Sequence, residues 1–205
     1  MTQALLIHPD NPQMRLIRMV TEGLHQGQII AYPTDSNYAL GCQVGDKQAM
    51  DRIRQIRGLD KQHKFTLMCR DLSDISLYAK VDNSAFRFIK AHTPGPFTFV
   101  LPATNDLPKR LQESKRKTIG IYVPSNKITQ IILEELNAPL ITTSLILPEQ
   151  DIPLTDPSDI YDACKGRIDF LVDGGNAGLE PTTVIDLTGQ APTILRQGKG
   201  LMSEL

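Results

Sequence analysis

Apolar positions along this chain switch repeatedly between a helical and a strand period. Leu16, Ile17, Val20 and Leu24 recur at helical spacing, with Asn11 and Pro12 before them and Gly27 after, which predicts a capped amphipathic helix. The short apolar run QIIAY (28–32) reads as a buried strand. Asp46 caps a second expected helix that turns Ala49, Ile53 and Ile56 inward and stops at Gly58. FTLMC (65–69) predicts a strand, Asp71 opens a short helix through Leu72 and Ile75, and Asp82 or Asn83 starts another. That helix is expected to bury Phe86 and Ile89 and to end at TPGP (93–96). FTFVL (97–101) and TIGIYV (118–123) are rich in β-formers, and Ser125 begins a helix with Ile128, Ile131, Ile132 and Leu136 inward. PLITTSLI (139–146), a helix near 156–165, IDFLV (168–172), TTVIDL and PTILR complete the chain; Thr188-Gly189-Gln190 is the expected hairpin turn between the last two.

Strands alternating with helices predict an α/β domain built on a twisted, largely mixed sheet. The 205 residues show no repeat, low-complexity stretch or linker, so a single domain over 1–205 is expected. The longest stretch without a charged residue, Ala91 to Asn105, is broken by Pro94, Pro96 and Pro102, which excludes a membrane helix there. The N-terminus lacks the pattern of a signal peptide, and Cys42, Cys69 and Cys164 form no C-x-x-C pair. A reduced, cytoplasmic chain away from membranes is the expectation.

Charge changes the picture only locally. Twenty-two basic residues nearly balance 23 acidic ones, yet KRLQESKRK (109–117) concentrates Lys109, Arg110, Lys115, Arg116 and Lys117. Arg52, Arg54, Arg57, Lys61 and Lys64 form a second basic run as the second helix ends. Local basic segments on a near-neutral protein suit a small anion, or one face on RNA.

Phosphate-loop, dinucleotide-binding, zinc-protease and nucleophile-elbow motifs are all missing, and the four histidines have no ligand spacing. What remains is a set of polar residues just beyond apolar strands, where open α/β sheets bind ligands. Pro33 stops one strand, leaving Thr34, Asp35 and Ser36 either as an ordinary capped turn or as a ligand mouth. Thr142, Thr143 and Ser144 end PLITTS, as alternating strand hydroxyls or as anion donors. Arg57 serves either the last helical turn or a ligand. Asp173-Gly174-Gly175 is a turn beyond a strand, and Arg196 with Gly198 follows the last one.

The order of these segments is more specific than any of them alone. P-T-D-S-x-Y-x-L-G (33–41), T-P-G-P-F-T, P-L-x-T-T-S, D-G-G, T-T-V-I-D and I-L-R-x-G resemble the YrdC/YciO family over residues 28–198. The likeness is strongest to the YciO branch, through FTLMCRDLS, TIGIYVPSN and TTSLILP. The resemblance implies an open, twisted mixed sheet with flanking helices and a concave basic cleft. It further implies a nucleotide or anion site at Thr34, Ser36, Tyr38, Arg57, Lys61, Thr143, Ser144 and Arg196. An RNA face (tRNA or double-stranded) is expected at Arg52, Arg54, Lys64, Lys109, Arg110, Lys115, Arg116 and Lys117.

The best-known branch makes threonylcarbamoyl-AMP from threonine, bicarbonate and ATP for tRNA modification. No tightly bound cofactor or resident metal is implied; ATP and Mg²⁺ would enter as substrate and counter-ion. This chain departs from that branch where the synthases carry a K-x-R pair (here Arg57-Gly58-Leu59), an S-x-N (Ser144-Leu145-Ile146) and an Arg before V-P (Tyr122). The leading expectation is therefore an RNA- and nucleotide-binding protein with degenerate synthase motifs and no assigned catalytic residue. The alternatives are a working synthase, and a hydrolase or transferase acting on a phosphorylated or carbamoylated small molecule.

Overall fold

Ten strands and six helices follow one another along residues 1–60, 63–105 and 117–202, the residues described by the computed structural model. In chain order they are β1 (Gln3–Leu6), α1 (Met14–His25), β2 (Ile30–Pro33), β3 (Tyr38–Gln43), α2 (Lys47–Arg57), β4 (Thr66–Met68), α3 (Leu72–Tyr78) and α4 (Asn83–His92). Then come β5 (Phe97–Pro102), β6 (Thr118–Tyr122), α5 (Lys127–Leu136), β7 (Leu140–Ser144), α6 (Pro157–Cys164), β8 (Phe170–Asp173), β9 (Thr183–Asp186) and β10 (Thr193–Arg196). The strands form one mixed sheet in the order β1-β8-β2-β3-β7-β4-β6-β5-β9-β10. β8 lies parallel to both β1 and β2, β4 is parallel to β6 and β5 to β9, and the remaining neighbours run antiparallel.

Side-chain alternation along these strands builds a core on each face. Ile30, Tyr32, Leu140 and Val172 pack with Ile17, Val20 and Leu24 of α1 and Ile128, Ile132 and Leu136 of α5. The opposite face, with Leu40, Leu67, Phe99, Ile121 and Ile141, packs against Ala49, Met50, Ile53 and Ile56 of α2, together with Ile75, Ile89 and Ile160.

Capping chemistry sets most helix starts. The Asp46 carboxylate accepts from the Ala49 N–H at 2.9 Å, and Gly58 closes α2 at φ 64°, a left-handed conformation that favours glycine. Asp71, Asp82 and Asp156 cap α3, α4 and α6 in the same way.

Other sequence expectations need correction. α1 starts at Met14 with Gln13 as its N-cap position, and Asn11 instead belongs to the preceding turn, where its N–H donates to His8 Nδ1. α5 is capped by Asn126, because Ser125 is drawn to Asp35. Phe86 is 43% exposed, outside the core it was expected to join, whereas Ile131, half-buried, packs against the core as expected. β1 and β3 were not foreseen. β1 is an edge strand with one buried residue, and β3 follows turn residues that hide its start. Among the described residues no helix is long and apolar enough to cross a membrane.

Candidate functional site

β2 and β3 form a hairpin in which Ile30 pairs with Gly41 and Pro33 with Tyr38. Residues 34–37 are its turn, closed by the Thr34 N–H donating to the Asn37 carbonyl at 3.1 Å. The Thr34 hydroxyl donates to the same carbonyl at 2.7 Å and accepts from the Ser36 and Asn37 N–H groups at 3.2 and 3.3 Å. The segment is thus a hydrogen-bonded turn, and that turn also walls a hollow.

The hollow is a small, half-open depression of about 50 Å³ on the sheet face that α1 and α5 cover further along. Thr34, Ser36 and Asn37 border it at the turn, and Thr142, Thr143 and Ser144 along β7. Thr66 and Met68 of β4, Tyr122 of β6, Thr98 of β5, Ala39 of β3 and Thr182 complete it. Ten of these twelve residues carry a hydroxyl or carboxamide, so the lining offers donors and acceptors and no fixed charge.

Register explains the convergence. Thr142 pairs with Thr66, and Met68 with Tyr122, which pairs with Thr98, so side chains distant in sequence share one face. Tyr32, fully buried, donates its hydroxyl to Thr142 Oγ1 at 2.7 Å, and the Thr98 and Thr182 hydroxyls lie 2.8 Å apart.

Alternation also separates the β7 hydroxyls. Thr142 and Ser144 face the hollow. Thr143 also borders the hollow, but it pairs with Leu40 of the opposite core and its Oγ1 lies 3.2 Å from His63 Nε2. Burial lowers the pKa of His63, and the neighbouring Arg57 charge lowers it further. Tyr38, expected at the site, is turned to that opposite core. Its hydroxyl donates to the Gly175 carbonyl at 2.8 Å and accepts from the Gly174 N–H at 3.3 Å, which ties down the Asp-Gly-Gly turn.

Two arginines flank the hollow without lining it. Arg57 donates to the carbonyl of Ile146, two residues beyond Ser144, rather than serving its own helix. Arg196 donates through Nε and Nη2 to the Thr182 carbonyl at 3.2 and 2.9 Å. Burial lowers both guanidinium pKa values.

The other basic positions fare differently. Arg54 pairs with Asp51 at 2.7 Å and lies over the Phe65 ring at 5.0 Å, which corrects its expected place on an RNA face. Arg52 pairs with Asp169 at 3.0 Å and also donates to the Arg167 carbonyl, so its fork is engaged within the fold. Lys64 and Lys117 are exposed. Lys61, Lys109, Arg110, Lys115 and Arg116 lie outside the described residues.

Asp35 organises the wall behind the hollow. Its carboxylate accepts from the Tyr122 hydroxyl at 2.9 Å, the Ser125 N–H at 2.8 Å and the Ser125 hydroxyl at 2.8 Å. Burial, reinforced by the Asp35 charge, pushes the Tyr122 phenol well up, so this ring enters the hollow uncharged. The sequence reading missed Thr66, Thr98, Thr182 and Asn37 as lining residues. Only strand register could have found the first two. Among the described residues no three His, Cys, Asp or Glu side chains cluster to hold a metal ion.

Comparison with known proteins gives this geometry a context. The Sua5/YciO/YrdC family model, described as telomere recombination, matches residues 22–198. YciO of Escherichia coli, an uncharacterised protein, is 52% identical over 200 residues, covering 98% of this chain and 97% of that one. Its crystal structure superposes with a TM-score of 0.94, over 99% of this chain and 98% of that chain. A threonylcarbamoyl-AMP synthase from Pyrococcus abyssi is 28% identical over 185 residues, covering 89% of this chain but 54% of the synthase. The P. abyssi Sua5 structure complexed with L-threonine matches with a TM-score of 0.88 at 25% identity, over 96% of this chain and 57% of that one. The chain belongs to the Sua5/YciO/YrdC family.

Proposed function

We propose that this chain binds a nucleotide through its phosphates in the hollow, and that structured RNA is its macromolecular partner. The observation that carries the first part is a hydroxyl-rich, uncharged hollow flanked by two partly desolvated guanidiniums that rest on carbonyls. Hydroxyls give oriented hydrogen bonds to phosphate oxygens, and the guanidiniums supply charge at the border. The RNA part is supported by the exposed Lys64 and Lys117 and by the basic sequence 109–117.

Threonylcarbamoyl-AMP synthesis is the second reading, favoured by the similarity to the P. abyssi synthase and to Sua5 complexed with L-threonine. In that reaction the carbamate of threonine attacks the α-phosphorus of ATP and pyrophosphate leaves, and charge spread over the phosphate oxygens must be stabilised. The resemblance places an arginine of the synthases where this chain has Tyr122, an uncharged ring committed to Asp35. An asparagine gives way to Ile146, and a second cation to Leu59. Each missing hydrogen bond to a charged group is worth about 1.5–3 kcal/mol, so synthesis is expected to be slow here.

One set of assays separates the readings. Saturable Mg-ATP binding displaced by inorganic pyrophosphate is expected, with little pyrophosphate released when threonine and bicarbonate are added. Filter binding to tRNA and duplex RNA should weaken with salt, by about 0.7 to 0.9 in log affinity per tenfold salt for each phosphate neutralised. No saturable ATP binding at millimolar concentration would overturn the nucleotide reading. Rapid pyrophosphate release would put the synthase first, and RNA binding that ignores salt would remove the RNA partner.

A further inference from the structure

A third cation stands at the hollow, in a segment the motifs do not reach. The Lys199 ammonium donates to the main-chain carbonyl of Asp35, inside the turn whose next residue, Ser36, lines the hollow. Like Arg57 and Arg196, it rests on a carbonyl and makes no ion pair among the described residues. Arg52 and Arg54, by contrast, are held by Asp169 and Asp51. The carboxylate of Asp35 itself is occupied by Tyr122 and Ser125.

The backbone under Lys199 is pinned. Its N–H donates to the Pro181 carbonyl at 2.8 Å, the Gly198 N–H donates to Thr183 Oγ1 at 2.9 Å, and that hydroxyl donates to the Gly200 carbonyl at 2.6 Å. A Cβ at Gly198 would lie 2.3 Å from the Pro181 carbonyl oxygen, so only glycine lets the segment lie this close. The exposed side chain above this fixed backbone is a flexible four-carbon stem with three donors. Moving its ammonium from a neutral carbonyl to a phosphate oxygen exchanges one hydrogen bond for a charge-assisted one. A lysine held by a carboxylate would first have to give up an ion pair.

We propose that Lys199 is a phosphate-contacting residue of this site, its ammonium leaving the Asp35 carbonyl for the polyphosphate of a bound nucleotide. The inference rests on the nucleotide reading given above and adds a residue to it. Its charge partly replaces what Tyr122 and Leu59 do not provide.

The test is calorimetric titration with inorganic tripolyphosphate and with Mg-ATP over a salt series. The proteins compared are the unaltered chain, Lys199→Met, Lys199→Arg and Lys90→Met, the last removing a lysine from α4. Lys199→Met is expected to weaken tripolyphosphate about tenfold and to make its affinity less sensitive to salt, giving a shallower log-affinity against log-salt slope. Lys199→Arg should stay within about threefold, Lys90→Met should match the unaltered chain, and all should share one thermal midpoint. Unchanged affinity and slope in Lys199→Met, with the unaltered chain binding, would overturn the Lys199 assignment and leave the nucleotide reading standing. Absence of tripolyphosphate and ATP binding by the unaltered chain would overturn both. An equal loss in Lys90→Met would reduce the effect to net charge and overturn the assignment as well.

Discussion

Two neighbouring rungs of the same sheet face are finished in opposite ways. Leu140, Met68 and Tyr122 pair across β7, β4 and β6 and are buried with the core under α1 and α5, where Met68 and Tyr122 also edge the hollow. Two residues along each strand, Thr142, Thr66 and Gly120 pair across the same strands; Thr142 and Thr66 line the hollow, and Thr66 and Gly120 are partly exposed. Backbone and register are shared, so the difference lies in helix cover and side-chain chemistry. Threonine keeps the branched shape that suits a pleated strand and adds a hydroxyl. A sheet can thus run unbroken from core to binding surface without a loop to mark the border.

Breaking the covered rung should give the largest effect. Leu140→Ala removes a fully buried side chain, at an expected cost of about 2–5 kcal/mol in unfolding free energy by urea denaturation. Phosphate affinity should change little once the fraction folded is accounted for.

The open rung should respond the other way round. Thr66→Val keeps the shape, so stability should hold within about 0.5 kcal/mol while phosphate affinity falls several-fold. Thr142→Val sits between the two, because it leaves the fully buried Tyr32 hydroxyl only the weak Met68 sulfur acceptor at 3.5 Å; about 1–3 kcal/mol of stability should go with the affinity. Thr142→Ser, which keeps the acceptor, should recover most of it. Equal stability losses in Thr66→Val and Leu140→Ala would show that the two rungs do not differ in kind.

Local signals were legible in the sequence and cross-strand signals were not. α2 could be read from Asp46 and Gly58 because both act within one turn of their own helix. Thr34, Ser36 and Ser144 could be placed at the hollow because each ends a strand or fills a turn. Tyr38 failed because its segment is a strand rather than a continued turn, and the pleat sends it to the other face. Thr66 and Thr98 look like any strand threonines until Thr142 and Tyr122 are placed beside them. Arg54 looked like a free cation because the distances to Asp51 and Phe65 are not written in one dimension.

The smallest expected effect lies on the far side of β7, where His63 meets Thr143. Burial disfavours its charged form, Arg57 and Arg54 add repulsion, and Asp60 opposes them more weakly than Arg57 acts. The folded chain therefore holds this proton less tightly than the unfolded chain, whose histidine titrates near 6.5. Wherever the unfolded state binds more protons, stability rises with pH. Acidification from about pH 7.5 to about pH 5.5 should thus cost the unaltered chain more stability than it costs His63→Gln. Loss of the Thr143 hydrogen bond adds a constant offset to the variant, so the readout is the slope of the difference between the two urea-denaturation curves against pH. Parallel curves would mean that His63 titrates as it does in the unfolded chain, and that the covered side of β7 carries no charge repulsion. A bound phosphate on Arg57 should raise the His63 pKa toward its ordinary value, a shift that imidazole proton resonances would register.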